Sequence, residues 1–304
     1  MILPVNNNTI LVTGAQGQLG RTLEYYWAAS ELARENELLF YDIGELDLTL
    51  TNMVEEELNR IKPRTILNAA AYTAVDQAET DQEAAFLVNA LAVANLADWA
   101  ARNDCFMVQI STDFVFDGSK RSPYLPEDEV SPLGVYGASK LAGEVALQSS
   151  LPDGHAIIRT SWLYSEYGKN FVTTILRLIK EKDEIGVVAD QVGSPTSTHS
   201  LVALLLRMRN RGTDPGIYHW TDGASISWYE FANAIQREAI EHGLLEREIP
   251  IKPLTTKEYR TPAARPAYSV LDRSKALSEM EMEATDWQQE LRLVIKKIAS
   301  KAEK

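Results

Sequence analysis

The feature that most constrains the fold is a short apolar strand that runs directly into a glycine-rich turn and a helix. Thr9–Thr13 is apolar and β-branched, as in a buried strand, and Gly14–Gly20 follows it. A helical pattern extends from about Gln18 to Ala29. Glycines let a backbone approach a pyrophosphate, and a helix N-terminus offers amide donors to it. We therefore predict a dinucleotide site; the alternative is a glycine-rich turn without a ligand.

The second strand pattern ends in an acidic residue. Leu38–Tyr41 is followed by Asp42, which stands about 20 residues after the glycine turn, where a ribose-binding carboxylate is expected. Its charge would repel a 2′-phosphate, which favours NAD(H) over NADP(H). Asp47 and Leu48 lie a few residues on. Asp47 is interpreted either as a residue near the adenine or as an N-terminal cap of the helix that follows.

Small and hydroxyl residues follow two further strand patterns. Arg64–Asn68 opens into the small residues of Ala69–Asp76, and Phe106–Ile110 opens into Ser111–Asp113. The carboxyl ends of parallel strands border the crevice in which such sheets bind ligands. We expect both segments to face that crevice, although the hydroxyls could also form a strand-end turn or cap.

A tyrosine and a lysine lie four residues apart in the next helical pattern. At this spacing Tyr136 and Lys140 share one helix face. A phenol titrates near pH 10, and a neighbouring cation lowers that pKa, so the pair is a candidate proton donor to a carbonyl. An ordinary solvated helix face has the same pattern. Three predicted strands end in small or hydroxyl residues that would border the same crevice, and this agreement favours the proton-donor interpretation over an ordinary helix face.

The βα units repeat as far as residue 160, so we predict an α/β fold with a doubly wound, Rossmann-like parallel sheet. Residues 1–160 are expected to form the dinucleotide-binding domain, with helices from about 197–225 packing back on it. Residues 161–304 are expected to form a smaller, irregular α/β substrate domain, interleaved with the first. Asn89, a polar residue in an apolar helical stripe, is predicted to tie two backbones together.

Composition limits the class of partner. The 304 residues carry a net charge of −13, which argues against a nucleic-acid surface. The start, Met1–Asn8, resembles neither a signal peptide nor a membrane span, and no run reaches 18 apolar residues. The single cysteine, Cys105, fits a reducing compartment, so a cytoplasmic protein without membrane partners is expected. The four histidines have no ligand spacing, and no zinc site is predicted.

Taken together, these segments resemble the extended short-chain dehydrogenases/reductases and, more narrowly, the dTDP-4-dehydrorhamnose reductases. The resemblance spans nearly the whole chain. The segments on which it rests are Gly14–Gly20, the Asn-Ala-Ala-Ala-Tyr-Thr-Ala-Val-Asp run at 68–76, Ser-Thr-Asp-Phe-Val-Phe at 111–116, Tyr136–Lys140 with Leu-Ala-Gly-Glu at 141–144, Arg-Thr-Ser-Trp at 159–162, Asp-Gln-x-Gly-x-Pro-Thr at 190–196, and Arg265-Pro266.

The resemblance implies reduction of the 4-keto group of dTDP-4-dehydro-6-deoxy-L-mannose by NADPH or NADH. Tyr136 would be the general acid, and Lys140 would hold the nicotinamide ribose and lower the tyrosine pKa. Thr112, helped by Asp113, would hydrogen-bond the sugar carbonyl. Substrate contacts are expected from Thr112, Asp113, Tyr136, Trp162 and Arg265. Cofactor contacts are expected from Gly14, Gly17, Gln18, Leu19, Gly20, Asp42, Asp47, Leu48, Ala71, Tyr72, Thr73, Tyr136 and Lys140.

Two departures from the family pattern concern assembly and the nucleotide. Some members are Mg²⁺-linked dimers that use two glutamates, and the matching positions here are Thr22 and His199, which are poor Mg²⁺ ligands. We therefore expect no metal and a monomer or weak homodimer. Tyr268 replaces the usual asparagine of the Arg-Pro-x-Asn-Ser stretch.

Two alternative functions remain open. A sugar-nucleotide dehydratase or epimerase would keep NAD⁺ bound, but Phe114 stands where dehydratases of this superfamily carry a glutamate after Asp113. A non-catalytic nucleotide-binding subunit is the other alternative. The intact Thr112, Tyr136 and Lys140 argue against it.

Overall fold

The computed structural model describes residues 8–302, so the predicted absence of a signal peptide at Met1–Asn8 falls almost wholly outside the described residues. Numbered along the chain, the strands are β1 (Thr9–Thr13), β2 (Glu37–Tyr41), β3 (Thr65–Asn68), β4 (Phe106–Thr112), β5 (His155–Thr160), β6 (Leu163–Tyr164), β7 (Ile185–Val188), β8 (Val192–Gly193), β9 (Thr196–Ser197), β10 (Gly216–His219), β11 (Ile226–Ser227) and β12 (Ile251–Leu254).

The helices lie between these strands and after them. They are α1 (Gln18–Trp27), α2 (Thr51–Ile61), α3 (Val75–Ala78), α4 (Gln82–Phe86), α5 (Ala92–Arg102), α6 (Val135–Ser150), α7 (Phe171–Glu181), α8 (Thr198–Arg211), α9 (Trp228–Glu241), α10 (Ser274–Met280) and α11 (Trp287–Ala302). A π-helical turn at Leu87–Leu91 joins α4 to α5, and Asp113–Val115 forms a 3-10 turn after β4.

Six strands form one parallel sheet in the order β10-β5-β4-β3-β1-β2. The chain runs outward from β1 to β2 and then returns to β3 on the other side of β1. The reversal opens a crevice at the carboxyl ends of β1 and β3, where ligands bind in such sheets. The doubly wound parallel fold predicted from the βα repeat is confirmed.

Alternate residues of the central strands feed two cores. On one face, Leu11, Ile66 and Met107 pack against α2, α5 and α6. On the other face, Val12 and Leu67 pack against α1, α8 and α10. Helices thus cover both faces, which explains why these strands are almost continuously apolar.

A second group of elements, which we call the second lobe, forms a core separate from the two of the main sheet. Helices α7, α9 and α11 pack with β7 and β12, which pair in parallel. Asn170 and Ser227 cap α7 and α9 through reciprocal capping boxes. Two further short pairs complete the strands, β8–β11, which is antiparallel, and β6–β9, which is parallel.

One helical stretch, Gln82–Arg102, is long and apolar enough to cross a membrane by length and composition alone. It includes α4, the π turn and α5. Its apolar residues include Val93, Leu96 and Trp99, which belong to the sheet core. This stretch therefore also fits the description of a core helix, and a single such helix is weak support for a membrane span.

Candidate active site

A cleft of about 840 Å³ opens at the carboxyl ends of β1, β3 and β4. It brings together segments that lie far apart in the sequence. Of the predicted site residues, those that line it are Gly14, Gly17, Gln18, Leu19, Asp42, Asp47, Leu48, Ala71, Tyr72, Thr73, Thr112, Asp113, Tyr136, Lys140 and Trp162. Gly20 and Arg265 do not line it.

The glycine turn after β1 is shaped for close backbone approach. Gly14 has φ +70°, and a Cβ there would lie 2.7 Å from the Ala70 nitrogen, so no other residue fits without displacing the end of β3. Gly17, extended and without a side chain, precedes the first turn of α1. The first amides of that helix lack intrahelical acceptors and are available to an anion. The turn therefore fits a dinucleotide pyrophosphate.

The two carboxylates of the β2 loop have different local partners. Asp42 Oδ2 accepts the Gln16 amide at 2.7 Å, which ties the end of β2 to the glycine turn. Asp47 Oδ1 accepts the amide of Thr49 at 2.9 Å and its hydroxyl at 2.7 Å. The N-cap of α2 is Leu50, so the capping interpretation of Asp47 is wrong. Asp47 instead fixes a turn at the cleft wall.

Asn89 holds the segment after β3 in place. Its Oδ1 accepts the Tyr72 amide at 2.9 Å, and its Nδ2 donates to the Tyr72 carbonyl and to Ser139 Oγ, both at 3.0 Å. The residue lies in the π-helical turn and is buried. It thus ties the cleft wall to helix α6, as its polar character in an apolar stripe predicted.

The phenol of Tyr136 lies at the carboxyl end of β4, beside the hydroxyl of Thr112. Burial raises the pKa of Tyr136 to about 12, with a small opposing effect of a hydrogen bond to Thr112 and a further raising effect of Asp113. The ring packs edge-to-face on Phe114, with centroids 5.7 Å apart. Tyr136 is therefore protonated at neutral pH and able to donate.

Lys140 lies one turn further along α6, but its ammonium group contacts the backbone rather than the phenol. Nζ donates to the Ile110 carbonyl at 2.7 Å, and burial lowers the pKa of Lys140 to about 8. The expected lowering of the Tyr136 pKa by Lys140 is wrong for this structure, because desolvation dominates and the lysine is not among the groups that act on the phenol.

Asp113 is the third ionisable group at this end of the cleft. Its side chain is buried, Oδ1 accepts the Thr112 hydroxyl at 3.1 Å, and Oδ2 has no hydrogen-bond partner among residues 8–302. Burial raises the pKa of Asp113 to about 6, against the lowering effect of hydrogen bonds from Ser269 and Thr112. A free carboxylate oxygen at this position can accept a hydroxyl of a ligand.

Three of the residues singled out from the sequence lie away from the cleft surface. Gly20 packs behind the turn against Ala15. The Arg265 guanidinium donates to Asp76 Oδ2 at 3.0 Å, next to the cleft residue Val75. Tyr268 packs with a separate small core and pairs by its backbone with Val192.

The motifs did not identify a loop of the second lobe that also lines the cleft. It consists of Gly168, Lys169 and Asn170. Gln18 Oε1 accepts the Asn170 amide at 2.9 Å and the Ser165 hydroxyl at 3.0 Å, so the start of α1 is linked directly to this loop. The available signal was Asn170 three residues before Thr173, a capping box, which marks a helix start but not its position beside a cofactor site.

Thr22 and His199, which stand where some family members carry glutamates, both have side-chain hydrogen-bond partners within the chain. Thr22 Oγ1 contacts Thr198 Oγ1 at 2.7 Å, and His199 lies between Glu166, at 2.8 Å, and the Tyr26 hydroxyl, at 3.0 Å. Within residues 8–302, no group of three or more histidine, cysteine or acidic side chains is arranged to hold a metal ion.

The parallel sheet, the glycine turn and the Thr-Tyr-Lys constellation define a Rossmann-type protein of the short-chain dehydrogenase/reductase class. The family profile described as "RmlD substrate binding domain" matches residues 8–300. The chain belongs to the dTDP-4-dehydrorhamnose reductase family.

Three relatives illustrate the similarity. The dTDP-4-dehydrorhamnose reductase of Aggregatibacter actinomycetemcomitans is 42% identical over 93% of this chain and 97% of its own. The crystal structure of a dTDP-4-dehydrorhamnose reductase from Clostridium acetobutylicum superposes with a TM-score of 0.86, at 39% identity, over 94% of this chain and 98% of that one. A Bacillus anthracis dTDP-4-dehydrorhamnose reductase in complex with NADP gives a TM-score of 0.84, at 36% identity, over 95% and 98%.

Proposed function

We propose that this protein reduces the 4-keto group of dTDP-4-dehydro-6-deoxy-L-mannose to give dTDP-L-rhamnose, with NADPH or NADH, in dTDP-rhamnose biosynthesis. The observation that carries the proposal is that one cleft combines the glycine turn with Thr112, Tyr136 and Lys140. Family membership supports the substrate, since relatives along nearly the whole chain are named for this reaction.

The residues at the cleft end suit proton donation to a carbonyl. Tyr136 Oη gives its proton to the carbonyl oxygen as that oxygen gains negative charge, and the phenol is then reprotonated from solvent. When substrate binds, the Thr112 hydroxyl turns its single proton from Asp113 Oδ1 to the same oxygen and stabilises the charge as it develops. Lys140, anchored on the Ile110 carbonyl, places a positive charge beneath the site at neutral pH.

The cofactor supplies the hydride that C4 of the sugar accepts. Gly14, Gly17 and the first amides of α1 would hold its pyrophosphate, as the close backbone approach at Gly14 allows. Asp42 would bind the adenosine ribose. Ala71, Tyr72 and the other predicted cofactor residues form the walls of the same cleft. A neighbour at 36% identity is a complex with NADP, which supports NAD(P)H use here.

We further propose that the second lobe carries the sugar-nucleotide. Trp162 lines the cleft from that side, and the Arg265–Asp76 pair lies at its edge.

The lone, buried Cys105 suits a reducing cytoplasm. The contact of Thr22 with the neutral Thr198 hydroxyl suits a monomer or weak homodimer without a bridging metal. Sedimentation velocity with and without Mg²⁺ tests this assembly.

The direct test is an NADH and NADPH oxidation assay. dTDP-4-dehydro-L-rhamnose is generated in situ from dTDP-glucose by an upstream dehydratase and epimerase, and absorbance reports turnover. Oxidation with at least one cofactor is expected. No turnover with either one rejects the proposal. Turnover of dTDP-glucose without added cofactor, by protein that retains NAD⁺, would instead identify a dehydratase or epimerase.

Tyr136→Phe tests the assigned proton donor. The variant keeps the ring and its packing on Phe114 but lacks the proton, so kcat is expected to fall by about 10²–10⁴-fold. Affinity for NADPH, followed by its fluorescence, is expected to stay within about twofold of the wild type, because the phenol oxygen makes only one of many cofactor contacts. An undiminished kcat contradicts the assignment.

A further inference from the structure

Trp162 has a backbone conformation that bulky residues rarely adopt. It lies between β5 and β6 with φ +47°, in the left-handed region. Among non-glycine residues with positive φ in the described chain, it alone lines the cleft. Its neighbours hold it there: Ser161 Oγ donates to the Ser194 carbonyl at 2.6 Å, and the Thr196 amide donates to the Trp162 carbonyl at 3.3 Å. Such strain persists where the surroundings impose it, commonly at ligand sites.

The indole ring of Trp162 is held as firmly as its backbone. The ring of Trp228 stacks on it with centroids 3.5 Å apart and planes at 13°. Gly193 also closes on the ring, since a Cβ there would lie 2.7 Å from two ring carbons. Gly193 ends β8, which pairs with β11 (Ile226–Ser227), directly before Trp228. One contact with the indole therefore comes from this small sheet, and the other comes from the first residue of α9, which directly follows it.

Trp228 itself does not line the cleft, and Phe171 packs on its ring with centroids 4.5 Å apart. Trp228 can therefore influence a ligand only indirectly, and its shortest ring contact, with centroids 3.5 Å apart, is to the cleft residue Trp162. Neither the glycine motif nor the Tyr-Lys pair points to it.

We propose that Trp228 is a positioning residue for the sugar-nucleotide: it fixes the Trp162 indole in the orientation in which that ring faces the cleft. The inference rests on the proposed function. A large ring that is already immobilised binds a ligand without losing its own conformational freedom. Loss of Trp228 would leave the strained Trp162 free to leave this orientation.

The first measurement separates binding from chemistry. In Trp228→Leu we expect KM for the 4-keto sugar-nucleotide to rise about tenfold, while kcat and the NADPH dissociation constant stay within about twofold, the scale of one lost aromatic pair. Trp228→Phe keeps a stacked ring and is expected to hold KM within about threefold of the wild type. Losses in kcat and in NADPH affinity as large as the rise in KM would overturn the proposal, because they would indicate general disruption of the site.

The second measurement asks whether Trp228 acts through Trp162. In a Trp162→Leu background, Trp228→Leu is expected to change KM by less than about twofold, because the ring that it positions is gone. A further tenfold rise in that background would overturn the proposal. If Trp228→Leu does not fold, the same cycle is measured with Trp228→Phe, whose smaller effect must likewise vanish.

The matched control is Trp287→Leu. Trp287 packs on the same core through Phe231, with centroids 6.2 Å apart. Phe231 in turn stacks on Trp162 at 6.3 Å, so Trp287 is one ring further from the indole than Trp228 is. Trp287→Leu removes the same side-chain atoms as Trp228→Leu, so the free energy of unfolding is expected to fall while KM for the sugar-nucleotide does not change. A KM rise equal to that of Trp228→Leu would show that any loss in this core disturbs the site, which contradicts a specific role.

Near-ultraviolet circular dichroism needs no substrate and separates the two proposals. The stacked indoles give a signal that either single variant of the pair removes, and the double variant removes no more. Wild-type protein that shows this signal but no turnover refutes the proposed function alone. Wild-type turnover with additive effects in the cycle refutes the role of Trp228 alone.

Discussion

At the scale of the residue, burial shifts the pKa values of the groups around the reacting position without changing their charge at neutral pH. The pKa of Tyr136 is raised to about 12, and that of Lys140 is lowered to about 8, in both cases mainly by desolvation. At neutral pH the site therefore holds a neutral phenol and a cationic amine. The proton needed by a developing alkoxide is in place before the reaction starts.

Asp113 shows what this burial costs in stability. Its folded pKa of about 6 lies above the unfolded value of 3.8, so the folded state binds more protons between these values and stability falls as pH rises through this window. About two units correspond to ~3 kcal/mol at neutral pH. Asp113→Asn is expected to raise the free energy of unfolding at pH 7.5 by up to that amount, and by nothing near pH 4, measured by urea denaturation.

The control for this prediction is Asp117→Asn. Hydrogen bonds from Ser119 and Tyr124 lower the pKa of Asp117, so its ionised form stabilises the fold above the unfolded pKa. Its replacement is expected to lower stability at pH 7.5, with the opposite sign from Asp113→Asn. A loss of stability in both variants at neutral pH would contradict the account of Asp113.

Asp42 is expected to decide between the two cofactors. Its carboxylate is held at the cleft by the Gln16 amide, where it would repel a 2′-phosphate. Asp42→Ser should lower KM for NADPH about tenfold, because it removes the repulsion between the carboxylate and the 2′-phosphate, which is worth several kcal/mol at most. It should raise KM for NADH, because the carboxylate that would bind the ribose is lost. Asp47→Ser removes the same charge from the same cleft and should change both KM values alike. An unchanged NADPH to NADH ratio in Asp42→Ser contradicts this role.

At the scale of the element, helix α6 organises the site through one stripe. Tyr136, Lys140 and Glu144 recur every four residues and face the ends of β4 and β5. Glu144 is buried and accepts Arg159 Nε at 3.1 Å and an Arg159 terminal nitrogen at 2.7 Å, and it also accepts the Ser111 hydroxyl. This pair fixes the helix against both strands; Glu144 and Arg159 each belong to a motif of the family resemblance, but the motifs did not show that the two residues pair.

Removing one partner of this pair should be costly. Glu144→Gln leaves the buried Arg159 without a counter-charge, and we expect a loss of ~3–5 kcal/mol in the free energy of unfolding. Glu144→Leu combined with Arg159→Met removes both charges and is expected to recover most of that loss. Thermal denaturation of the three proteins checks the order. A double variant less stable than Glu144→Gln contradicts the assignment of the loss to an unpaired charge.

At the scale of the whole molecule, sequence patterns identified the parts better than their assembly. The apolar runs located β1 to β4 within one or two residues, because buried parallel strands are almost continuously apolar. The pairing of β10 with β5 depends on contacts between segments distant in the chain, which no local pattern shows. The same limit applies to Lys169 and Trp228, which reach or support the cleft from a lobe whose position no local pattern encodes.

The cofactor domain is proposed to be discontinuous, and this can be tested directly. Strand β10 completes the main sheet on β5, and α8 and the segment after β10 supply Leu201, Leu205 and Trp220 to one of its two cores. Each such side chain contributes ~1.5–3 kcal/mol when buried, against a typical total stability of ~5–15 kcal/mol. A fragment of residues 1–160 is therefore expected to show no cooperative urea transition by circular dichroism, whereas the full chain does. A sigmoidal transition of the fragment, with a denaturant dependence proportionate to its length, would show that the first 160 residues fold without β10 and α8.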